Sequence, residues 1–278
     1  MERAGLIPDM PDAEYHAGPE LSSTGAKILS RCPAEFAHYL ANRVEKPEYD
    51  FGHAVHALIL GKGQEIVVID ADSWRTKEAR EERDAAHAAG KTPLLAKTFL
   101  EAKAVAQVVL TDPVVGAWFT GEGGFNELSA FAVDPETGCP IRARADRLVE
   151  TPDGVARILD IKTTGKDVHG WELGGRYGTV AKLGYHQAAH LYEHVFGLNG
   201  IQAVYTLVFV TVDTPYRVKV AVLDRESMHE GARLNHIAMR EFVTRTASGD
   251  WSCPEPHQIT VSIFERPDQE VTSDESAA

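Results

Sequence analysis

The hydrophobic period of this chain changes at Asn126. Before that point apolar residues recur at helical intervals; from Asn126 to Thr164 they fall on alternate positions in three runs, NELSAFAVD, IRARADRLVE and VARILDIKTT. The runs are divided by PETGCP and TPDG, short segments rich in turn-forming residues. Period-two runs separated by such turns predict three strands in an antiparallel meander.

Helical patterns flank the meander. LSSTGAKILSRCPAEFAHYLANR opens with Ser22 and Ser23 as candidate caps and carries Ile28, Leu29, Phe36 and Tyr39 at helical spacing, with Pro33 dividing it into two short helices. FGHAVHALILG reads as a mostly apolar helix, WRTKEAREERDAAHAAGK as a polar one stopped near Gly90, and LLAKTFLEAKAVAQVVLTD as an amphipathic one. After a glycine-rich loop around WELGGRYGT, AKLGYHQAAHLYEHVFGL returns to a helix and IQAVYTLVFVTVD is apolar enough for a central strand. YRVKVAVLD then pairs as a hairpin partner, and ESMHEGARLNHIAMREFVTRTASG closes with a long helix. The order predicts an α/β fold, a mixed central sheet flanked by helices, in a single domain over 1–264. Residues 265–278 are acidic, lack an apolar face and are expected to form a disordered tail.

With 278 residues, 44% hydrophobic and 25% charged, the chain has the composition of an ordinary globular protein with a substantial core. No apolar run approaches the roughly 20 residues that span a bilayer, and MERAGLIPDMPDAEYH lacks a signal-peptide layout, so a cytoplasmic protein without a membrane partner is expected. The net charge of −13 lowers the expectation of tight non-specific binding to nucleic acid. It does not exclude DNA as a substrate, because cations held by carboxylates reverse the local sign. Cys32, Cys139 and Cys253 are far apart and odd in number, which argues against a disulfide framework and for reduced thiols.

The strand end ILDIKTT carries polar groups that a buried strand does not need. Asp160 and Lys162 project to one side, Leu159 and Ile161 to the other. Alone, the pair reads as a surface ion pair. On the preceding run Arg142, Arg144 and Asp146 share a face, and antiparallel pairing through TPDG can bring Asp146 to Asp160, an oxygen-ligand arrangement suited to Mg²⁺ or Mn²⁺. Glu127 offers a third carboxylate and the Ile161 carbonyl can complete the shell. Clustered acids repel one another unless cations, a lysine or protons offset them. With metal bound, the suggested chemistry is phosphodiester hydrolysis, Lys162 orienting the attacking water. Arg142 and Arg144 either hold phosphate or balance Asp146 and Glu127. Lys27, Arg31 and Arg43 either line a DNA channel or form a solvated face, and Trp171, Tyr177 and Tyr185 either stack on a base or close a core. His186 and His190 lack a third ligand at telling spacing, and His53 reads as structural or exposed.

An acid on one strand followed by acid-x-lysine on the next, here Asp146 and Asp160-Ile161-Lys162, resembles the PD-(D/E)xK nucleases. GHAVH, with Gly52 and His56, is similar to the G-x-x-x-H helix of their RecB-like branch, and YHQAAHLY, with Tyr185, Gln187 and Tyr192, to its glutamine-and-tyrosine helix. YHAGPELSSTGAKILSRCPAEF, GHAVHALIL, AAGKTPLL and VTVDTPYRVKVAVLD follow in order between Met10 and Trp251 and extend the resemblance to the RecE-like exonuclease domain of phages and prophages.

The resemblance implies a restriction-endonuclease-like core and a Mg²⁺-dependent exodeoxyribonuclease that degrades linear double-stranded DNA. It also implies exposure of 3′ single strands for an annealing partner in recombination, a ring-shaped homo-oligomer and a place in the bacterial cytoplasm. Carried over by position, His56, Asp146 and Asp160 are metal ligands, Glu127 the upstream acid and Lys162 the catalytic lysine, while Tyr185, Gln187 and Tyr192 contact DNA or the site. Gln187 and Tyr192 depart from the related pattern: they are five apart rather than four, about 140° of rotation on a helix. Two alternatives stand beside this reading, a catalytically silent DNA-binding or assembly protein and a single-strand or repair endonuclease. The charge of −13 and the glutamine spacing favour the first; the clustered acids with Lys162 speak against it.

Overall fold

A computed structural model describes residues 3–42 and 49–253; Arg43 and the tail over 265–278 lie outside the described residues. The chain opens with β1 (Gly5–Ile7), α1 (Asp12–Ala17), α2 (Ser23–Leu29), α3 (Pro33–Ala41) and α4 (Asp50–Leu60). Then come β2 (Ile66–Ile69), α5 (Lys77–Ala88), β3 (Thr92–Leu95), α6 (Ala96–Thr111) and α7 (Gly116–Thr120). The meander is β4 (Phe125–Val133), β5 (Pro140–Glu150) and β6 (Ala156–Thr164), followed by α8 (Gly170–Leu173), α9 (Thr179–Lys182), α10 (Tyr185–Leu198), β7 (Val204–Thr211), β8 (Val218–Ala221) and α11 (Arg225–Ser248).

Local chemistry sets these boundaries. The Ser22 hydroxyl accepts from Gly25 N–H at 3.2 Å to start α2, and Pro33 starts α3 where its missing N–H is harmless. Asp224 caps α11 through Ser227 N–H at 2.7 Å. None of the helices among the described residues is long and apolar enough to cross a membrane.

Six strands form one sheet in the order β1-β4-β5-β6-β7-β8. The meander pairs antiparallel, as its period predicts, while β7 lies parallel to β6 because α10 carries the chain back across the sheet. The sheet is therefore mixed. Several small elements differ from the sequence expectation: β1 adds an edge strand beside β4, α1 follows it, Leu94 and Leu95 join β3 against β2 rather than starting a helix, and the short helices α7, α8 and α9 form, α8 within the stretch read as a glycine-rich loop.

The sheet carries a core on each face. Leu29, Phe36, Leu191, Phe196, Met239 and Phe242 pack one face under α2, α3, α10 and α11; Val55, Ile59, Val105, Val109 and Trp118 pack the other under α4, α6 and α7. Ile141, Ala143 and Ala145 alternate into the first core, but the next β5 residue in that core is Leu148, with Val149 in the second. The period of two thus slips by one at Asp146 and Arg147. Glu127 marks the same place on β4: its φ is +55°, and the ladder passes from Asn126↔Arg147 to Leu128↔Ala145 without it. A non-glycine residue in this region marks a local departure from strand geometry.

Candidate active site

The β5–β6 ladder runs from Glu150↔Ala156 to Arg147↔Leu159 and stops. One further step of that register would set Asp146 opposite Asp160. Instead the strands part, and the Ile161 N–H donates to the Asp146 carboxylate at 2.7 Å. Asp160 alternates with Leu159 and Ile161 and so emerges on the face of Tyr205, whereas Asp146 sits at the slip. The two acids do not share one flat face, as simple alternation suggested; they meet in the gap between the strands.

Each acid is held by its own partners. Lys162 Nζ donates to Asp160 at 2.6 Å, and the Tyr205 hydroxyl donates to its other oxygen. Tyr192 packs edge-on against Tyr205 at 5.2 Å, and the Tyr185 ring lies 5.5 Å from the Lys162 ammonium. His56, from α4, places Nε2 2.9 Å from the Ile161 carbonyl and Nδ1 3.4 Å from Asp146. A carbonyl only accepts, so Nε2 carries the proton in this contact. Gly52, one turn earlier, brings α4 against Thr163; a Cβ there would stand 3.5 Å from the threonine hydroxyl, an ordinary contact.

Burial and crowding set the charges. Burial, then the Asp160 charge, pushes Asp146 up to about 8, and burial with Asp146 nearby pushes Glu127 up to about 7. Burial also works to raise Asp160, but Lys162 and the Tyr205 hydroxyl outweigh it and hold that carboxyl below the ordinary range. Lys162 stays cationic because Asp160 and Asp146 outweigh its own burial, and His56 is kept neutral by burial and by Lys162. Like charges this close cannot both ionise freely, so one carboxyl keeps a proton unless a cation replaces it.

The remaining predicted residues divide. Arg144 reaches Glu127 at 3.8 Å but also binds Asp12 at 3.0 Å and the Ser129 hydroxyl at 3.0 Å, under the Tyr15 ring. Arg142 is 1% exposed and donates to the Tyr15 and Gly18 carbonyls beside Glu20, so of the two readings left open for it the placement favours balance of buried charge and leaves no open face for phosphate. Gln187 is buried between helices, with the Ser30 hydroxyl 3.5 Å from its side-chain oxygen. Tyr192 packs against Tyr205, and burial together with the nearby charges of Asp160, Asp146 and Glu127 raises its hydroxyl pKa, so it lies beside the acids. Lys27 bonds the Leu183 carbonyl at 3.3 Å and lies near Lys162, whereas Arg31 pairs with Glu35 on the surface. Trp171, on α8, and Tyr177, between α8 and α9, are exposed. His190 stacks on His194, and its Nδ1 lies 3.1 Å from the Asn235 amide, a structural contact. Tyr205 was not singled out from sequence, although a lone phenol in the apolar run VYTLVFV needs a hydrogen-bond partner when buried.

Among the described residues, no three His, Cys, Asp or Glu side chains stand ready around one point as a metal cage. The donors that converge are the Asp146 and Asp160 carboxylates and the Ile161 carbonyl, with the His56 imidazole behind them. Hard oxygens of this kind suit an ion such as Mg²⁺, which binds through one or two carboxylates and keeps waters for the rest. The excess of buried negative charge provides the attraction. The residues present fit a divalent cation.

Residues 22–245 match the family described as PDDEXK-like domain of unknown function (DUF3799). No curated protein matches the sequence. Among solved structures, a candidate exonuclease from Eubacterium rectale superposes with a TM-score of 0.60 at 13% identity, covering 87% of each chain. SSO0001 (TM-score 0.32, 15% identity, 78% of this chain and 85% of that one) and protein VC1899 from Vibrio cholerae (0.24, 12%, 88% and 58%) are too remote to bear on the fold.

Proposed function

Because the chain belongs to the PDDEXK-like family DUF3799, within the PD-(D/E)xK nuclease superfamily, we propose that it is a Mg²⁺-dependent exodeoxyribonuclease of the RecE-like type acting on linear double-stranded DNA. The observation that carries this reading is the meeting of Asp146, Asp160 and Lys162 where β5 and β6 part, with the Ile161 carbonyl tied to Asp146 through His56. The description of the Eubacterium rectale neighbour as a candidate exonuclease is in keeping with it.

Asp146, Asp160 and the Ile161 carbonyl would hold the divalent ion, with His56 fixing the carbonyl. When bound, that ion supplies neutralisation of phosphate charge and a lowered pKa for water. Lys162, held cationic and fixed by Asp160, orients the attacking water and meets the charge that develops on the phosphate. Tyr205 occupies the far oxygen of Asp160 and so fixes which lone pairs face the substrate. Glu127, pushed to about 7, can accept or release a proton beside Asp146. The sequence resemblance supports 3′ single strands as product, an annealing partner and a ring-shaped oligomer.

The test incubates the purified protein with end-labelled linear duplex, covalently closed circle and single strand, with Mg²⁺ or a chelator. Loss of the linear duplex alone, stopped by chelator and reduced at least about 100-fold in Asp160→Ala and Lys162→Ala, is the expected result. Absence of metal-dependent cleavage of every substrate would sink the nuclease reading, and cutting of the closed circle would replace exonuclease by endonuclease.

A further inference from the structure

Cys32 and Cys253 are far apart in sequence but sit on segments that pack together. Cys32 closes the turn from α2 into α3, its N–H bonded to the Ile28 carbonyl at 3.0 Å, while Cys253 lies just beyond α11. The segment after α11 folds back: Arg245 donates to the Asp250 and Ser252 carbonyls, both at 3.0 Å, and Trp251 packs on Phe36 at 5.3 Å between ring centroids. Phe36 in turn packs edge-on against Phe242 of α11 at 6.0 Å. These contacts bring the segments that carry the two thiols together, and the Cys253 side chain stands close enough to Cys32 to lower its pKa. Both are partly exposed, whereas Cys139 is buried.

We propose that Cys32 and Cys253 are an oxidisable dithiol that closes to an intramolecular disulfide while Cys139 stays reduced. The oxidant is a small-molecule disulfide such as oxidised glutathione. A thiolate attacks one glutathione sulfur, breaks its S–S bond and releases one glutathione thiolate, leaving a mixed disulfide on the protein. The second cysteine, losing its proton, displaces the other glutathione and forms the Cys32–Cys253 bond. Two protein thiols are oxidised by two electrons, and one glutathione disulfide becomes two thiols. Cys32 is the better first nucleophile, since the neighbouring Cys253 side chain lowers its pKa; burial pushes Cys139 up to about 12 and leaves it inert. The link would join the ends of a loop that contains the whole meander and both later strands, so it constrains the unfolded chain strongly.

The full chain, first reduced and then treated with oxidised glutathione at low micromolar protein, is assayed by thiol titration and peptide mapping under non-reducing conditions. Titratable thiols in denaturant should fall from three to one, a joined Cys32–Cys253 peptide should appear, and the Tm should rise by about 5–10 °C, reversed by dithiothreitol. Cys32→Ser and Cys253→Ser should each lose the rise. Retention of three thiols, a persistent glutathione adduct or a disulfide-linked dimer in place of the internal link would overturn the proposal. Peptide mapping of the unsubstituted chain decides the matter even where a variant folds poorly.

Discussion

Tyr205 and Arg142 are both polar groups sealed in the interior, and their partners assign them opposite tasks. The Tyr205 hydroxyl ends on a carboxylate of the site, so Tyr205→Phe should leave folding intact and lower turnover about tenfold, measured as the rate per folded molecule at saturating linear DNA. Arg142 ends on the Tyr15 and Gly18 carbonyls with Glu20 alongside. Arg142→Ala should therefore destabilise by about 3–5 kcal/mol in urea unfolding, with little change in turnover per folded molecule. Sequence alternation placed Arg142 correctly beside Arg144 but could not reveal its burial, because Tyr15 and α1 cover it and their docking is a long-range event. Asp146, Asp160 and Lys162 were legible since acid, acid and lysine at strand ends have few bland explanations once they occur together. Tyr205 was hidden inside an apolar run.

Among the elements, two helical glycines make opposite predictions. On α11, a Cβ at Gly231 would stand 2.3 Å from the His186 carbonyl oxygen of α10, so Gly231→Ala forces two packed helices apart. A loss of about 1–3 kcal/mol in denaturant unfolding is expected. Gly52 on α4 meets only the Thr163 hydroxyl at ordinary distance, so Gly52→Ala should hold or raise the Tm. A fall in cleavage without a fall in Tm would mean that the substrate uses the space beside Thr163. The meander was legible because its period and turns are local. β2 and β3 are four residues each and pair across α5, so nothing within either stretch announces the partner. The slip at Asp146 was likewise invisible: Ala145 to Leu148 reads as alternation until the two cores show which face each residue joins.

At the scale of the whole molecule, acid should loosen the α10–α11 interface. Burial, and then the charge of neighbouring His194, pushes His190 down to about 4, against about 6.5 for an unfolded histidine. Between those values the unfolded chain binds the extra proton, so stability is full above the unfolded value and declines as pH falls through the window. Urea midpoints at pH 7 and pH 4.5 should differ less in His190→Asn than in the unsubstituted protein. The parted strands also bear on how such a protein descends through mutation. Ile161 serves the site through its peptide N–H and C=O, while its side chain belongs wholly to the core. Drift at this position is thus read by packing alone: any residue of suitable apolar shape inherits the donor and the acceptor, and only proline forfeits the N–H. A lineage that loses Asp160 or Lys162 still carries this half of the machinery, and a single reversion can restore the rest.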